Sequence, residues 1–159
     1  MNVWKLNTGI SYYEKRDVRR GLRLRFDSNI DIEVKRSCKE FCNWLRYNYI
    51  FPFRVPVYIK SSYYIKAMDG DKVSATFFQP YDKLTESYIK IAAGDYYDML
   101  NKWGKDQALG AILHSIAHEL THYFQWINDV QLTDIGYERQ ASMCAKAILD
   151  EYSETREHP

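Results

Sequence analysis

A clear helical pattern of apolar residues lies between Leu113 and Ile127. At 100° per residue, its apolar side chains fall within a sector roughly 100° wide, which is typical of a helix that packs one face on a core. These side chains are Leu113, Ile116, Ala117, Leu120, Phe124 and Ile127. His118 and His122 lie on the opposite face, about 140° and 180° from Leu113. The pattern therefore predicts an amphipathic helix that presents two histidines on its polar face.

Other patterns predict strands in the first two thirds of the chain and helices at its end. Strands are predicted at about 21–27, 55–59, 63–67, 73–78 and 88–92, and helices at about 30–48, 94–103 and from 106 onward. The segment Met68-Asp69-Gly70-Asp71 is a hairpin signal between two of these strands. Residues 1–20 have no clear period and are expected to form an extended or partly helical arm. This order predicts one α+β domain over residues 1–159, with an N-terminal helix and a small, mostly antiparallel sheet before the terminal helices.

The two histidines belong to an HExxH sequence, His118-Glu119-Leu120-Thr121-His122. Residues four apart on a helix are surface neighbours with Cβ atoms about 5–6 Å apart, so both imidazoles can reach one zinc ion at about 2.0–2.1 Å. Glu119 projects to the flank of such an ion, where its carboxylate can take a proton from metal-bound water. The alternative is a pair of surface histidines on an ordinary amphipathic helix. Because the apolar stripe lies opposite the histidines, we favour a zinc site with His118 and His122 as ligands and Glu119 as catalytic base.

A hydrolytic zinc site takes three protein ligands and leaves one position for water, so a third ligand must come from elsewhere in the chain. The metzincin pattern is excluded because Gln125 and Asn128 stand at its Gly and His positions. Glu138, sixteen residues after His122, begins a second helical pattern and shares its apolar face. The other members of that face are Ala141, Ala145, Ile148, Leu149 and Tyr152. A carboxylate there is costly unless it is paired, and a metal ion is one such partner; the alternative is an acid favoured by the dipole of the first helical turn.

These motifs resemble those of the gluzincin metallopeptidases. The HExxH sequence is similar to the zinc-binding helix of thermolysin-type enzymes, and Glu138-Arg139-Gln140-Ala141 is similar to the start of their glutamate helix. The short chain also resembles minimal gluzincins and ImmA/IrrE-type peptidases, over about residues 109–149. The resemblance implies a single zincin-like domain that binds Zn²⁺ through the two histidines and Glu138.

Some positions depart from this pattern. Gln140 stands where ImmA-like chains carry a second acid. Ser142 stands where thermolysin-like chains carry an Asp that supports a ligand histidine, so that support is unassigned here. The segment Asp134-Ile135-Gly136-Tyr137 is similar to the Asp-x-x-Tyr segment of aspzincins, which makes Asp134 the alternative third ligand.

The resemblance also implies how a peptide substrate is held. In zincins an edge strand of the sheet borders the cleft and pairs with an extended substrate, and Tyr88–Ala92 is the candidate because it is the last predicted strand before the helices. Hydrolysis builds negative charge on the carbonyl oxygen, and a donor near the metal stabilises that charge. His114, one turn before His118, and Tyr137, beside Glu138, are the candidate donors. The alternative for each is that it only packs on the wall of the cleft.

Composition narrows the class of protein and its expected location further. With 46% hydrophobic and 27% charged residues, the chain is typical of globular proteins. It has no apolar run of signal-peptide or membrane-span length, so membrane association is not expected. The three cysteines, Cys38, Cys42 and Cys144, form no C-x-x-C pair and are interpreted as small core residues of a cytoplasmic protein.

The net charge of +1 conceals an asymmetry along the chain. Residues 1–60 carry 13 Lys and Arg against 6 Asp and Glu, whereas residues 61–159 carry 9 against 15. The basic cluster between residues 15 and 25 suggests a patch for nucleic acid or an acidic partner. Alternatively, residues 22–26 form a strand that alternates apolar and basic side chains. We favour the strand, so nucleic-acid binding is not expected.

The leading hypothesis is a cytoplasmic zinc-dependent peptidase that hydrolyses a peptide or protein substrate with Glu119 as general base. The alternative is a catalytically inactive, zincin-like binding or regulatory protein that acts on a nucleic acid or protein partner through its basic N-terminal region. Metal content and hydrolysis of an unstructured protein distinguish the two.

Overall fold

The computed structural model describes residues 2–6 and 21–159 and has a mixed α+β fold, which confirms the predicted class. A short 3-10 helix, Val3–Lys5, precedes strand β1, Leu22–Phe26, and helix α1, Ile32–Asn48. Strands β2 to β6 follow as Val55–Lys60, Ile65–Lys66, Lys72–Val73, Ala75–Phe78 and Tyr88–Ala92. The chain ends with helices α2, Tyr96–Trp103, α3, Lys105–Ile127, and α4, Asp134–Ser153. Most of the predicted N-terminal arm, residues 7–20, lies outside the described residues.

Four strands form one sheet in the order β1-β2-β6-β5, and β3 pairs with β4 in a separate two-stranded sheet. The pairs β1-β2 and β2-β6 are parallel, whereas β5 and β6 are antiparallel. The prediction of a mostly antiparallel sheet is therefore wrong. Helix α1 crosses over between β1 and β2 and returns the chain to the same end of the sheet, which makes that pair parallel. Residues 61–87, which include β3 to β5, also carry the chain back to the starting end of the sheet. Strand β6 therefore runs parallel to β2.

The edge strand that contacts α3 is β5, not β6. The predicted hairpin forms only as a short pairing of β3 with β4, and Ala75–Phe78 turns back onto β6 instead. Strand β6 lies between β2 and β5, and its Ile89 and Ile91 are buried, as inner-strand residues are. The prediction that Tyr88–Ala92 is the edge strand is therefore wrong, because the last strand in the sequence is not the last strand in space.

Helix α3 contacts the sheet, the other three helices and the N-terminal 3-10 helix. Every residue of its predicted apolar stripe is at most 2% exposed, which confirms the stripe. Burial of one large aliphatic or aromatic side chain contributes about 1.5–3 kcal/mol, so the stripe anchors α3 firmly in the core. Among the described residues, no helix combines the length and apolar character needed to cross a membrane.

The cysteines lie where small core residues are expected. Cys38 and Cys42 are fully buried on α1, and Cys144 is partly buried on α4; all three are free thiols. Burial raises the pKa of Cys42 to about 12, so this thiol stays protonated and inert.

Strand β1 shows the predicted alternation of apolar and basic residues. Leu22 is buried, whereas Arg23 and Arg25 are exposed. The strand interpretation is thus confirmed for residues 22–26. The basic residues between 15 and 20 lie outside the part of the chain that the structure describes.

Candidate metal centre

His118 and His122 on α3 and Glu138 on α4 converge, with one possible ligand atom from each within 4.8 Å of the others. Glu138 Oε2 lies 3.0 Å from His118 Nε2, and Glu138 Oε1 lies 3.1 Å from His122 Nε2. The side chains of the histidines are 19% and 17% exposed, and that of Glu138 is 64% exposed. Burial lowers the pKa of His118, which favours the neutral ring that metal binding requires. These are the three residues predicted from the sequence as ligands, and the structure brings them together.

A short connection between α3 and α4 returns the chain to the histidines. Asp129, just past the end of α3, has a φ of 52° and is the one non-glycine residue with positive φ among those described. Thr133 then caps α4, where its hydroxyl accepts a hydrogen bond from the N–H of Gly136 at 3.0 Å. Helix α4 therefore begins at Asp134, earlier than predicted, and Glu138 lies in its second turn. The dipole of the first turn acts on Asp134 and does not account for Glu138.

Glu119 lies beside the cluster and is only 8% exposed. Burial raises the pKa of its carboxyl to about 8, and the negative charge of Glu138 adds to the rise. The backbone N–H of Phe77 on β5 faces the carboxylate and opposes the shift. At neutral pH the metal-free protein therefore holds this carboxyl mostly protonated, and a cation bound beside it would favour the charged form that acts as a base.

Gln125 also belongs to the site, although the sequence motifs assign it no role. Its side chain is 4% exposed, and its Oε1 lies 2.8 Å from His122 Nδ1. Its Nε2 donates to the backbone carbonyl of Tyr137 at 3.0 Å and to Gln140 Oε1 at 2.9 Å. Gln125 follows His122 by three residues, and residues three apart are neighbours on a helix. This spacing could have identified Gln125 from the sequence.

The contacts of Gln125 assign the tautomer of His122. A backbone carbonyl only accepts hydrogen bonds, so the amide nitrogen of Gln125 faces Tyr137 and Oε1 faces the ring. Nδ1 of His122 consequently donates, and in the neutral ring Nε2 carries a lone pair. That lone pair faces the carboxylate of Glu138, and two acceptors 3.1 Å apart repel each other unless a cation or an added proton lies between them.

The remaining residues predicted for the site lie at its margins. Asp134 lines the cleft but is not part of the ligand cluster found among the described residues. Tyr137 also lines the cleft, and its hydroxyl donates to the carbonyl of Val130 at 2.7 Å, so its proton is already engaged. The ring of His114 lies 6.2 Å from that of His118, and burial lowers its pKa. His114 is not one of the described residues that line the cleft.

The cluster opens into a cleft of about 820 Å³ that is lined on one side by β5 and on the other by the connection between α3 and α4. The carbonyl of Ser74 accepts a hydrogen bond from the N–H of Ala92 at 2.8 Å. Because backbone groups alternate in direction along a strand, those of Ala75 and Phe77 point away from β6. Within residues 21–159 no strand pairs with this side of β5; the N–H of Phe77 faces Glu119, and the backbone groups of Ala75 face the cleft.

The function of this chain must be inferred from its own residues and their geometry. No family model matches the chain, and neither the curated proteins nor the solved structures gave a significant match.

Proposed function

We propose that this protein is a zinc-dependent peptidase with a zincin-like fold, in which His118, His122 and Glu138 bind zinc and Glu119 is the general base. The observation that carries the proposal is the convergence of these side chains in a cleft bordered by an open strand edge.

The free thiols of the core are consistent with a reducing compartment, and we propose the cytoplasm as the location.

The donor atoms suit a zinc ion. Zinc binds imidazole nitrogen and carboxylate oxygen at about 2.0–2.2 Å in tetrahedral geometry, which separates its ligand atoms by about 3.3 Å. The oxygens of Glu138 lie 3.0 and 3.1 Å from the two histidine nitrogens. A cation between His122 and Glu138 also removes the repulsion between their facing lone pairs. Two imidazoles and one carboxylate leave one tetrahedral position for water.

The residues around the cluster supply the remaining parts of a hydrolytic mechanism. When bound, zinc lowers the pKa of a coordinated water toward about 7 and polarises the carbonyl of the substrate. Glu119 takes the proton of the attacking water and delivers it to the leaving amine. The N–H of Phe77 favours the charged form of this carboxyl, which is the form that acts as a base. The substrate backbone lies extended along β5, where alternate backbone groups face the cleft.

Metal content and hydrolysis test the proposal together. Protein stripped with a chelator is titrated with zinc chloride and then assayed on casein, an unstructured substrate. We expect about one zinc per chain and measurable hydrolysis. His122→Ala should lose most of the zinc affinity, because two ligands do not close a tight site. His158→Ala is the matched control, since His158 is exposed and pairs with Asp106 at the opposite end of α3.

Two results contradict the proposal in different ways. Unchanged, stoichiometric zinc in His122→Ala refutes the ligand assignment. Zinc binding without hydrolysis of unstructured proteins favours instead a metal-binding regulatory protein.

A further inference from the structure

We propose that Gln125 is a positioning residue that holds His122 in the tautomer whose Nε2 can bind metal, and that it links this histidine to the turn of α4 that carries Glu138. The inference rests on the proposed zinc site and adds to it a residue outside the HExxH and glutamate-helix motifs. Gln125 acts through His122 and takes no part in proton transfer.

The orientation of the Gln125 amide is firmly determined. The side chain is 4% exposed, so a reversed amide places its oxygen against the carbonyl of Tyr137 in a buried setting. Leaving buried polar groups without partners is costly, and the observed orientation satisfies both N–H groups and the oxygen. The amide oxygen is therefore a fixed acceptor for the Nδ1 proton of His122.

A competing tautomer explains why this acceptor matters. If the ring proton sits on Nε2, it can hydrogen-bond to the carboxylate of Glu138, whose oxygen is 3.1 Å away. That arrangement joins the two ligands to each other and blocks the nitrogen that binds the metal. The bond from Nδ1 to Gln125 opposes it, because a neutral ring has only one N–H to donate.

The same amide connects the two helices that supply the ligands. Gln125 belongs to α3, whereas its acceptors Tyr137 and Gln140 belong to α4 and stand on either side of Glu138 in the sequence. Any shift of α4 along α3 breaks these bonds together with the approach of Glu138 to the histidines. Gln125 thus supplies the support of a ligand histidine for which the sequence offers no acid at Ser142.

The test compares Gln125→Met with Gln140→Met in metal-free and zinc-titrated protein. Methionine fills a similar space but has no N–H donor and is only a weak acceptor. Side-chain ¹H–¹⁵N correlation spectra at mildly alkaline pH report the tautomer of each of the four histidines. Titration reports the Kd for zinc.

We expect the wild-type His122 to carry its proton on Nδ1. In Gln125→Met the proton should move to Nε2, and the Kd for zinc should rise by about 10–100-fold, as for other outer partners of metal ligands. Gln140→Met should change both readouts little, because the bond from Gln125 to the Tyr137 carbonyl remains. A purely structural role of Gln125 predicts lower stability without a change of tautomer.

A wild-type spectrum with the His122 proton on Nε2 overturns the proposal, whether or not the variants fold. A folded Gln125→Met protein with an unchanged tautomer and an unchanged Kd overturns it as well. If the wild-type protein binds no zinc, the proposed function fails, and the metal-free spectra still decide the role of Gln125.

Discussion

The indole N–H of Trp4 donates a hydrogen bond to the hydroxyl of Thr121, 2.9 Å away, and Thr121 lies inside the HExxH sequence. Thr121 in turn donates to the carbonyl of Ala117 at 2.9 Å. Trp4 is 2% exposed, and its ring centroid is 4.8 Å from that of Phe124. The N-terminal 3-10 helix therefore supports the buried side of the helix that presents the two histidines.

Replacement of Trp4 should destabilise the protein through two separate losses, that of the hydrogen bond to Thr121 and that of the buried ring. Trp4→Phe keeps a ring against Phe124 but removes the N–H donor, and we expect a loss of about 1–2 kcal/mol. Trp4→Ala also removes the buried ring and should cost about 3–5 kcal/mol. Urea unfolding measures both changes. Trp103→Ala is the control, since Trp103 is 49% exposed; equal stability of the two alanine variants would show that the segment is not docked.

The fold could be predicted from the sequence where local pattern decides it. The stripe of α3 is long and regular, so the helix and its buried face followed from residue spacing. Strand order is different, because β5 and β6 are both short and their pairing depends on tertiary contacts. The parallel pairs and the edge position of β5 therefore could not be read from strand patterns alone.

The candidate site, too, could be predicted only where residue spacing within one segment determines it. The relation between the two histidines is local to one helix. Glu138 was found from its place at the head of the apolar stripe of α4, although its side chain is 64% exposed and the cost expected for a buried carboxylate does not arise. The true start of α4 was missed because its first turn is exposed, with Ile135 71% exposed and outside the apolar pattern. The contacts of Gln125 join two helices, and no spacing within one segment encodes them.

Glu138→Ala should lower zinc affinity far more than Asp134→Ala. The first change removes the oxygens that lie 3.0 and 3.1 Å from the histidine nitrogens and leaves only two ligands. Asp134 lies in the first turn of α4, where an acid contributes about 0.3–1 kcal/mol to stability. Zinc titrations of both variants, run side by side, give the ranking. A reversed ranking would make Asp134 the third ligand, and equal affinities would exclude both.

Glu119→Gln should keep zinc and the fold but lose hydrolysis. The amide has nearly the shape of the carboxylate, and its oxygen can still face the N–H of Phe77. It cannot take a proton from water, so we expect kcat to fall by about 10²–10⁴-fold. Casein hydrolysis at equal zinc content measures the effect. Activity equal to that of the parent would mean that another group is the base.

The metal-free protein should lose stability as pH rises, because of Glu119. Burial raises the pKa of this carboxyl in the folded state from an ordinary value of 4.5 to about 8. The folded state holds the proton more tightly, so the stability that this carboxyl contributes is fully present below pH 4.5 and falls as pH rises to about 8. Glu119→Gln has no such proton, so its stability relative to the parent should grow across this window by on the order of 5 kcal/mol. Urea unfolding in chelator at several pH values tests this; identical pH dependence of both proteins would contradict it.

Ala75→Pro should impair hydrolysis and leave the sheet intact. The N–H of Ala75 points away from β6, so proline removes no hydrogen bond of the ladder. A peptide bound along β5 loses this donor, and we expect kcat/KM to fall about five- to tenfold, equivalent to about 1–1.5 kcal/mol. Ala75→Val is the matched control because it adds similar bulk and keeps the N–H. Equal losses in both variants would show that bulk alone impairs binding and that the substrate does not pair with β5 at this residue.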